Sequence, residues 1–297
     1  MSTAAAHVTI VIVNYESYPE LRNCLASLAA DASAGHEIVV VDHVSREGAA
    51  DALSQAFPFV RLLRVPANEG FAAGVNRGAR GAQTPFLLLL NPDSVVDPGL
   101  VNRLCEWMGD EPDVGVVGPR LLNADGSVQG SARRFPDFTT ALAGRSSWLT
   151  KVLPRNPLSR RNLPALEAVP GHPMDVDWVS GACMMIRRAA FEQVAGMDEG
   201  FFLYWEDADF CRRLKAAGWR TVYLPDVTSM HIGGRSSMHA SDASLAAFHR
   251  SAYRLFCKHA SAPVRPFAPL VYLALRARLM FIRRVVRTRR DNAGGAG

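Results

Sequence analysis

The chain has 297 residues, 48% hydrophobic and 21% charged, with a net charge of +5. That length buries a large core, and that composition excludes an intrinsically disordered chain. Five cysteines, odd in number, scattered from Cys24 to Cys257 and never spaced as C-x-x-C, argue against a disulfide framework or a zinc knuckle and fit a reducing cytoplasm.

The opening "MSTAAAHVTIVIVNYES" has no positive n-region, and its apolar run is short and β-branched, so it does not read as a signal peptide. Within it "HVTIVIVNY" predicts a strand ending at Asn14 and Tyr15, and "ELRNCLASLAA" predicts a helix with Leu21, Leu25 and Leu28 on one face. "EIVVVDHVS" predicts a second apolar strand ending at Asp42, "GAADALSQAF" a helix and "VRLLRV" a third strand. "NEGFAAGVNRGARGA" opens a Gly- and Ala-rich helix, and "PFLLLLNPDS" is a fourth buried strand. This alternation predicts parallel βαβ units with both sheet faces covered. Asn14, Asp42 and the Asn91/Asp93 pair then stand at strand ends, where open α/β sheets bind ligands.

Residues 131 to 175, rich in Pro, Arg and Ser, read as a long surface excursion. "MDVDWVSGACMMIRR" resumes an alternating strand-like pattern, and "AAFEQVAG" makes a short helix. "YWEDADFCRRLKAAGW" follows, with Phe210, Leu214 and Ala217 at helical spacing and Gly218 as a stop, so residues 206 to 217 form a helix with Glu206, Asp207 and Asp209 in its first turn. Acids there are favoured by the helix dipole whatever the function, and Asp209 pairs with Arg213 one turn on. Asp207 lies one turn before Phe210 and Cys211 at the inward edge, aimed toward the sheet, and is placed for general-base work. Asp93 makes a good turn in Asn-Pro-Asp-Ser for any purpose, yet it also stands where a hard cation bridging two phosphates needs an oxygen. His231, before a Gly-Gly turn, is by itself an ordinary histidine.

Between Arg276 and Arg290, "RARLMFIRRVVRTRR" holds seven arginines and no acid. The preceding "PFAPLVYLAL" falls short of the roughly 20 apolar residues of a spanning helix. A helix from about Pro266 to Arg290, with Leu273, Leu279, Phe281 and Ile282 at the interface, would lie on an anionic membrane surface; the bland alternative is a solvated helix. No nucleic-acid motif accompanies the charge.

The ordered set "VTIVIVNYES…LRNCLASL", "EIVVVDHVS", "NEGFAAGVNRGARGA", "FLLLLNPDS", "WVSGACMMIRRAAFEQVAGMDEGFFLYWEDADFCRRLKAAGW" and "HIGG" resembles the family 2 inverting glycosyltransferases over about residues 8 to 260, in particular the rhamnosyltransferase-like branch that uses dTDP-L-rhamnose. The resemblance implies an α/β fold of the GT-A type: a Rossmann-like, mostly parallel sheet with flanking helices, plus a C-terminal helical extension. It divides the chain into a catalytic domain at 1–240 and a C-terminal helical region with a basic amphipathic tail at 241–297. Within the first, a nucleotide-sugar half ends near 125 and an acceptor half runs from about 176.

By position, the resemblance implies that Asp42 meets the base of a dTDP- or UDP-sugar donor, that Asn14 and Tyr15 line the nucleotide pocket, and that Asn68 and Gly70 lie near the ribose and phosphates. Asn76, Asn91, Trp178 and Gly181 are further implied substrate contacts. Asp93 and His231 are implied ligands of Mg2+ or Mn2+, although Asn91-Pro92-Asp93 has one carboxylate where the family's acidic motif has two. Asp207 is the implied inverting base, with Glu206 orienting the acceptor or the helix. His43 stands where relatives carry Asn. The implied acceptor is a glycan or a polyprenyl-diphosphate-linked saccharide at the inner face of the plasma membrane, reached from the cytoplasm. UDP-N-acetylglucosamine or UDP-galactose is an alternative donor, and a non-catalytic nucleotide-sugar binder is the alternative class. A dinucleotide oxidoreductase is disfavoured because "VNYESYPE" lacks the glycines of G-x-G-x-x-G.

Overall fold

The computed structural model describes residues 8–44, 46–135, 163–166, 168–232 and 242–294. Most of the excursion expected at 131–175 and the Gly-Gly turn after His231 therefore lie outside the described residues, as do the side chains of Arg287, Arg289 and Arg290.

Strands β1 (Val8–Tyr15), β2 (Glu37–His43), β3 (Val60–Val65) and β4 (Phe86–Leu90) pair in parallel in the order β3-β2-β1-β4. The helices between them are α1 (Tyr18–Ser27), α2 (Ala29–Ser33), α3 (Glu47–Ala56) and α4 (Phe71–Ala79). The helix expected over "ELRNCLASLAA" is thus broken at Leu28, although Leu21, Leu25 and Leu28 are all fully buried. Side chains alternate between two cores: Ile10, Ile12, Leu88 and Leu90 pack on one side of the sheet, and Val11, Val13, Leu87 and Leu89 on the other.

After β4 come β5 (Ser94–Val96), α5 (Leu100–Asp110), β6 (Val114–Leu122), β7 (Ala132–Arg133), β8 (Met174–Asp175), β9 (Trp178–Val179), β10 (Cys183–Arg187), α6 (Arg188–Gln193), α7 (Glu206–Ala216) and β11 (Arg220–His231). The sheet continues β4-β10-β6-β11-β5. Strand β10 runs antiparallel to both neighbours, and β11 runs parallel to β6. β7 and β9 form a separate two-stranded ribbon. The segment expected as one alternating strand, "MDVDWVSGACMMIRR", is three short strands instead. Its last piece, Cys183–Ile186, is buried on every residue because it lies mid-sheet with both faces covered.

Two helices complete the chain, α8 (Asp242–His259) and α9 (Ala268–Gly294), the second preceded by a single turn at Arg265–Phe267. α9 packs along α8, with Tyr253 and Tyr272 edge to face at 5.3 Å. Close approach of α4 to the sheet depends on its glycines: a Cβ on Gly74 would stand 2.7 Å from Val13 Cγ1. That fit brings the N-terminus of α4 to the strand ends.

Candidate active site

The carboxyl ends of β1 and β2 are held by one carboxylate. Parallel register sets Asn14 beside Asp42, and both are fully buried. Asn14 Nδ2 donates to Asp42 Oδ1 at 2.6 Å, and the Tyr18 hydroxyl donates to Oδ2 at 2.8 Å. Asn14 therefore supports Asp42 from within instead of opening onto a pocket, whereas Tyr15, one residue on, is exposed. Burial raises the pKa of Tyr18, so it stays a donor. Nearby, Asn68 Oδ1 accepts from Gly70 N at 3.0 Å. Gly70 has φ +90°, and a Cβ there would fall on the Phe202 carbonyl, which accepts from Phe71 N at 2.8 Å. His43 is buried, and burial lowers its pKa.

Asn76, expected to contact substrate, gives its whole amide to the protein. Its Oδ1 accepts from Met197 N at 2.8 Å, and its Nδ2 donates to Met197 O and Glu199 Oε1, each at 2.9 Å. It clamps the turn after α6 onto α4.

A second cluster forms where β4 ends. Antiparallel pairing of β5 with β11 sets His231 opposite Ser94. His231 Nε2 then lies 3.2 Å from Asp93 Oδ1 and 3.3 Å from Asn91 Nδ2. Among the described residues no group of three or more His, Cys, Asp and Glu side chains gathers as a metal cage. The pair still fits one hard cation: two neighbouring ligands with bonds of about 2.1–2.2 Å at a right angle stand about 3.1 Å apart. Such a cation would take its remaining ligands from elsewhere, as a bound diphosphate provides.

The third cluster opens α7. Arg213 and Lys215 in its last turn complement the acids of its first, and Gly218 at φ +94° ends it. The three acids have three different surroundings. Asp209 is fully buried and meets Arg213 Nε at 2.8 Å, Lys258 Nζ at 2.8 Å and His259 Nε2 at 2.7 Å, so it ties α7 to α8. Glu206 is buried with Oε2 unpartnered; burial first, and the charge of Asp207 second, push its pKa up to about 8, leaving it protonated at neutral pH. Asp207 keeps partial contact with solvent, although protein atoms crowd its carboxylate. Its Oδ2 accepts from Gly181 N at 3.2 Å and its Oδ1 from Ala208 N at 2.8 Å. Burial raises its pKa, while those N–H groups and the Arg133 guanidinium oppose the rise.

Asp207 and the Asn91-Pro92-Asp93 turn are joined by a short path. Gly181 touches the carboxylate, and the next residue, Ala182, accepts from Asn91 N at 3.0 Å. A half-buried carboxylate, a candidate general base, and a candidate cation pair thus lie together at the carboxyl end of the sheet. Trp178, expected to contact substrate, is packed beside this cluster. It is buried, donates Nε1 to Arg134 O at 3.0 Å, and carries the Arg133 guanidinium 5.0 Å above its ring. Tyr18, Arg133 and Gln129, which backs His231, carry no motif signal; their partners lie tens of residues away.

The loop entering α7 holds Tyr204 at φ +69° and Trp205 at φ +71°, two consecutive left-handed residues that are not glycine. α8 braces them: Phe248 packs on Tyr204 at 5.7 Å and on Trp205 at 5.4 Å, and Ser251 Oγ donates to Leu203 O at 2.9 Å.

The sequence profile of the glycosyltransferase-like family 2 matches residues 5–254. The chain is 34% identical to an N-acetylglucosaminyl-diphospho-decaprenol L-rhamnosyltransferase of Mycobacterium tuberculosis, over 95% of each chain. A 56-residue stretch is 45% identical to rhamnosyltransferase WbbL of Escherichia coli, covering 19% of this chain and 21% of that one. Among solved structures, mannosyltransferase PcManGT of Pyrobaculum calidifontis, in complex with GDP-Man and Mn2+, superposes with a TM-score of 0.56 at 19% identity, covering 93% of this chain and 70% of that one. GalNAc-T7 with UDP, GalNAc and Mn2+ superposes at 0.60 and 16% identity, over 93% and 57%. The fold is accordingly that of the GT-A glycosyltransferases with a helical C-terminal extension. With the family profile spanning most of the chain and a full-length relative above 30% identity, the protein belongs to glycosyltransferase family 2 and is a rhamnosyltransferase-like glycosyltransferase.

Proposed function

We propose that the enzyme transfers L-rhamnose from dTDP-L-rhamnose to a saccharide on a polyprenyl diphosphate, with inversion at the anomeric carbon. Support comes first from the Asp207 carboxylate, held through Gly181 and Ala182 next to the Asn91-Pro92-Asp93 turn. The mycobacterial relative, an L-rhamnosyltransferase by name, supports the sugar and the lipid-linked acceptor.

In this reading Asp207 accepts the proton of the acceptor hydroxyl as that oxygen attacks C1 from the face opposite the diphosphate. A raised pKa favours capture of the proton, while the N–H groups of Gly181 and Ala208 keep the carboxylate ionised beforehand. Glu206, protonated at neutral pH, spares Asp207 a second negative neighbour. Asp93 and His231 would hold Mg2+ or Mn2+, which would neutralise charge developing on the leaving diphosphate. On the donor side Asp42, fully buried and bonded on both oxygens, would fix the strand ends beneath the base and Tyr15 would be open to it, with Asn68 and Gly70 by the ribose and phosphates. Asn14 and Asn76 act as supports, and Trp178 as the floor under Arg133.

The boundary expected near 240 falls between the sheet and α8. Because α8 is ion-paired to the helix of the base, we place it with the catalytic unit and leave the membrane role to α9. No helix among the described residues is long and apolar enough to cross a membrane. α9 exposes Leu270, Leu273, Met280 and Phe281 beside Arg276 and Arg284, a surface suited to an anionic leaflet at the inner face of the plasma membrane. Leu279 and Ile282, expected to enter the lipid, are half-buried in the structure, and Arg283 is paired with Asp242 at 2.6 Å. The outward stripe is therefore narrower, and less of the charge is available, than the sequence implies.

The test is a donor panel. Purified protein with Mn2+, a polyprenyl-diphosphate-linked N-acetylglucosamine and dTDP-L-rhamnose is expected to yield a rhamnosyl product of inverted anomeric configuration by NMR. Transfer from a UDP-sugar instead replaces the donor, and binding without turnover of any donor makes the protein a nucleotide-sugar binder.

A further inference from the structure

Behind His231 a chain of hydrogen bonds fixes which ring nitrogen carries hydrogen. Gln129 Oε1 lies 2.9 Å from His231 Nδ1, while Gln129 Nε2 donates to His231 O and to Asn123 Oδ1, each at 2.8 Å. The amide cannot be turned over. A main-chain carbonyl only accepts, so the group against His231 O must be the NH2. The Asn123 side demands the same orientation. Ser127 Oγ gives its hydrogen to Asp125 Oδ1 at 2.6 Å, so it must accept from Asn123 Nδ2 at 2.8 Å, which turns Asn123 Oδ1 toward Gln129. Two independent constraints therefore aim Gln129 Oε1 at Nδ1, and Nδ1 must be the N–H.

A neutral imidazole protonated at Nδ1 has its lone pair at Nε2. Asn91 Nδ2, a donor at 3.3 Å from Nε2, matches that state. Asp93 Oδ1, at 3.2 Å, does not: it is a second electron-pair donor facing the first. A positive charge between the two atoms, either a divalent cation or the second proton of an imidazolium, removes the conflict. We propose that Gln129 is a positioning residue for a divalent-cation site, holding His231 in the Nδ1–H tautomer so that the Nε2 lone pair stands beside the Asp93 carboxylate. The second half of this proposal rests on the reading of Asp93 and His231 as cation ligands; the tautomer itself does not.

Two measurements separate the halves. Long-range 1H–15N spectra of metal-free protein labelled at histidine, with His231→Asn to assign the resonances, are expected to show His231 with a pyrrole-like Nδ1 and a pyridine-like Nε2. The opposite tautomer, an even mixture, or two pyrrole-like nitrogens on His231 overturns the proposal. Gln129→Leu is expected to shift the ring toward such a mixture. Mn2+ affinity in the presence of dTDP, read by electron paramagnetic resonance, is expected to fall about 10–100-fold in Gln129→Leu, the usual scale for loss of a partner behind a metal ligand. Gln129→Glu, which keeps an acceptor on Nδ1 but loses the donor to His231 O and Asn123 Oδ1, is expected to restore part of it. Equal Mn2+ affinity in folded Gln129→Leu and wild-type protein overturns the positioning role. Wild-type protein that shows the tautomer but takes up no Mn2+ overturns the cation reading, and the spectrum identifies that as the half that failed.

Discussion

Asp42 and Glu206 are both buried carboxyl groups at the working edge of the sheet, and they are treated in opposite ways. Asp42 receives a hydrogen bond on each oxygen, from Asn14 and Tyr18, and needs nothing more from the folded chain. Glu206 has an oxygen with no partner and holds its proton to about pH 8. The carboxyl ends of β1 and β2 thus carry a finished polar network resting on two adjacent parallel strands. The start of α7 is kept in an unfavourable state, with left-handed Tyr204 and Trp205 before it, by packing from α8. Strained, under-partnered groups collect where chemistry happens, and other parts of the fold must hold them in place.

The sharpest way to break this contrast is to remove the proposed base. Asp207→Asn is expected to lower kcat about 10²- to 10⁴-fold with donor affinity nearly intact, read by steady-state kinetics and by nucleotide titration. Retention of most of kcat would take the role from Asp207. Next in size, Asp209→Ala should destabilise the protein by about 3 kcal/mol in denaturant, the lower end for breaking a buried ion pair because Arg213, Lys258 and His259 keep some access to water. A shift under about 1 kcal/mol would mean that α8 is not anchored there.

Glu206 gives a test by pH. Its folded pKa of about 8 stands above the ordinary 4.5, so between those values the unfolded chain releases a proton that the folded chain keeps. Its contribution to stability therefore falls as pH rises from about 4.5 to about 8, and is level outside that window. Glu206→Gln should remove the slope, so that denaturant midpoints at pH 5, 6.5 and 8 move increasingly in the variant's favour. Parallel curves for the two proteins would refute a proton held on Glu206. The smallest effect belongs to the finished network. Tyr18→Phe should cost about 1–2 kcal/mol by leaving one Asp42 oxygen unmatched, with dTDP affinity by calorimetry weakened by a similar free energy.

The same contrast governs what could be read beforehand. Continuous apolar runs such as VTIVIV and FLLLL announce strands covered on both faces, so β1 to β4 and their helices are legible. β6 and β11 hide because each holds a proline, Pro119 or Pro225, which ordinarily argues against a central strand. Here Pro225 falls in the irregular register between Leu224 and Thr228. Asp207 and Asp93 are legible as acids at an element's start or end. The jobs of Asn76 and Trp178 are not, because a spacing pattern cannot show that Met197 and Arg133 will occupy them. Gln129 is hidden for the same reason: it meets His231 across 102 positions of sequence.

The Gly181–Ala182 link bears on how such enzymes diversify. Because one dipeptide, in the turn between β9 and β10, touches both the Asp207 carboxylate and the turn that carries Asp93, the spacing between those two groups is set by the backbone of that turn as it enters β10. On the proposed function, that turn fixes how far the proton acceptor stands from the leaving group, whatever the surrounding segments select as sugar or acceptor. A methyl at Gly181 would make only ordinary contact, 3.4 Å from the Phe71 ring and 3.8 Å from Asp207 Cβ, so it is the backbone of the turn and not the missing side chain that holds the two groups together.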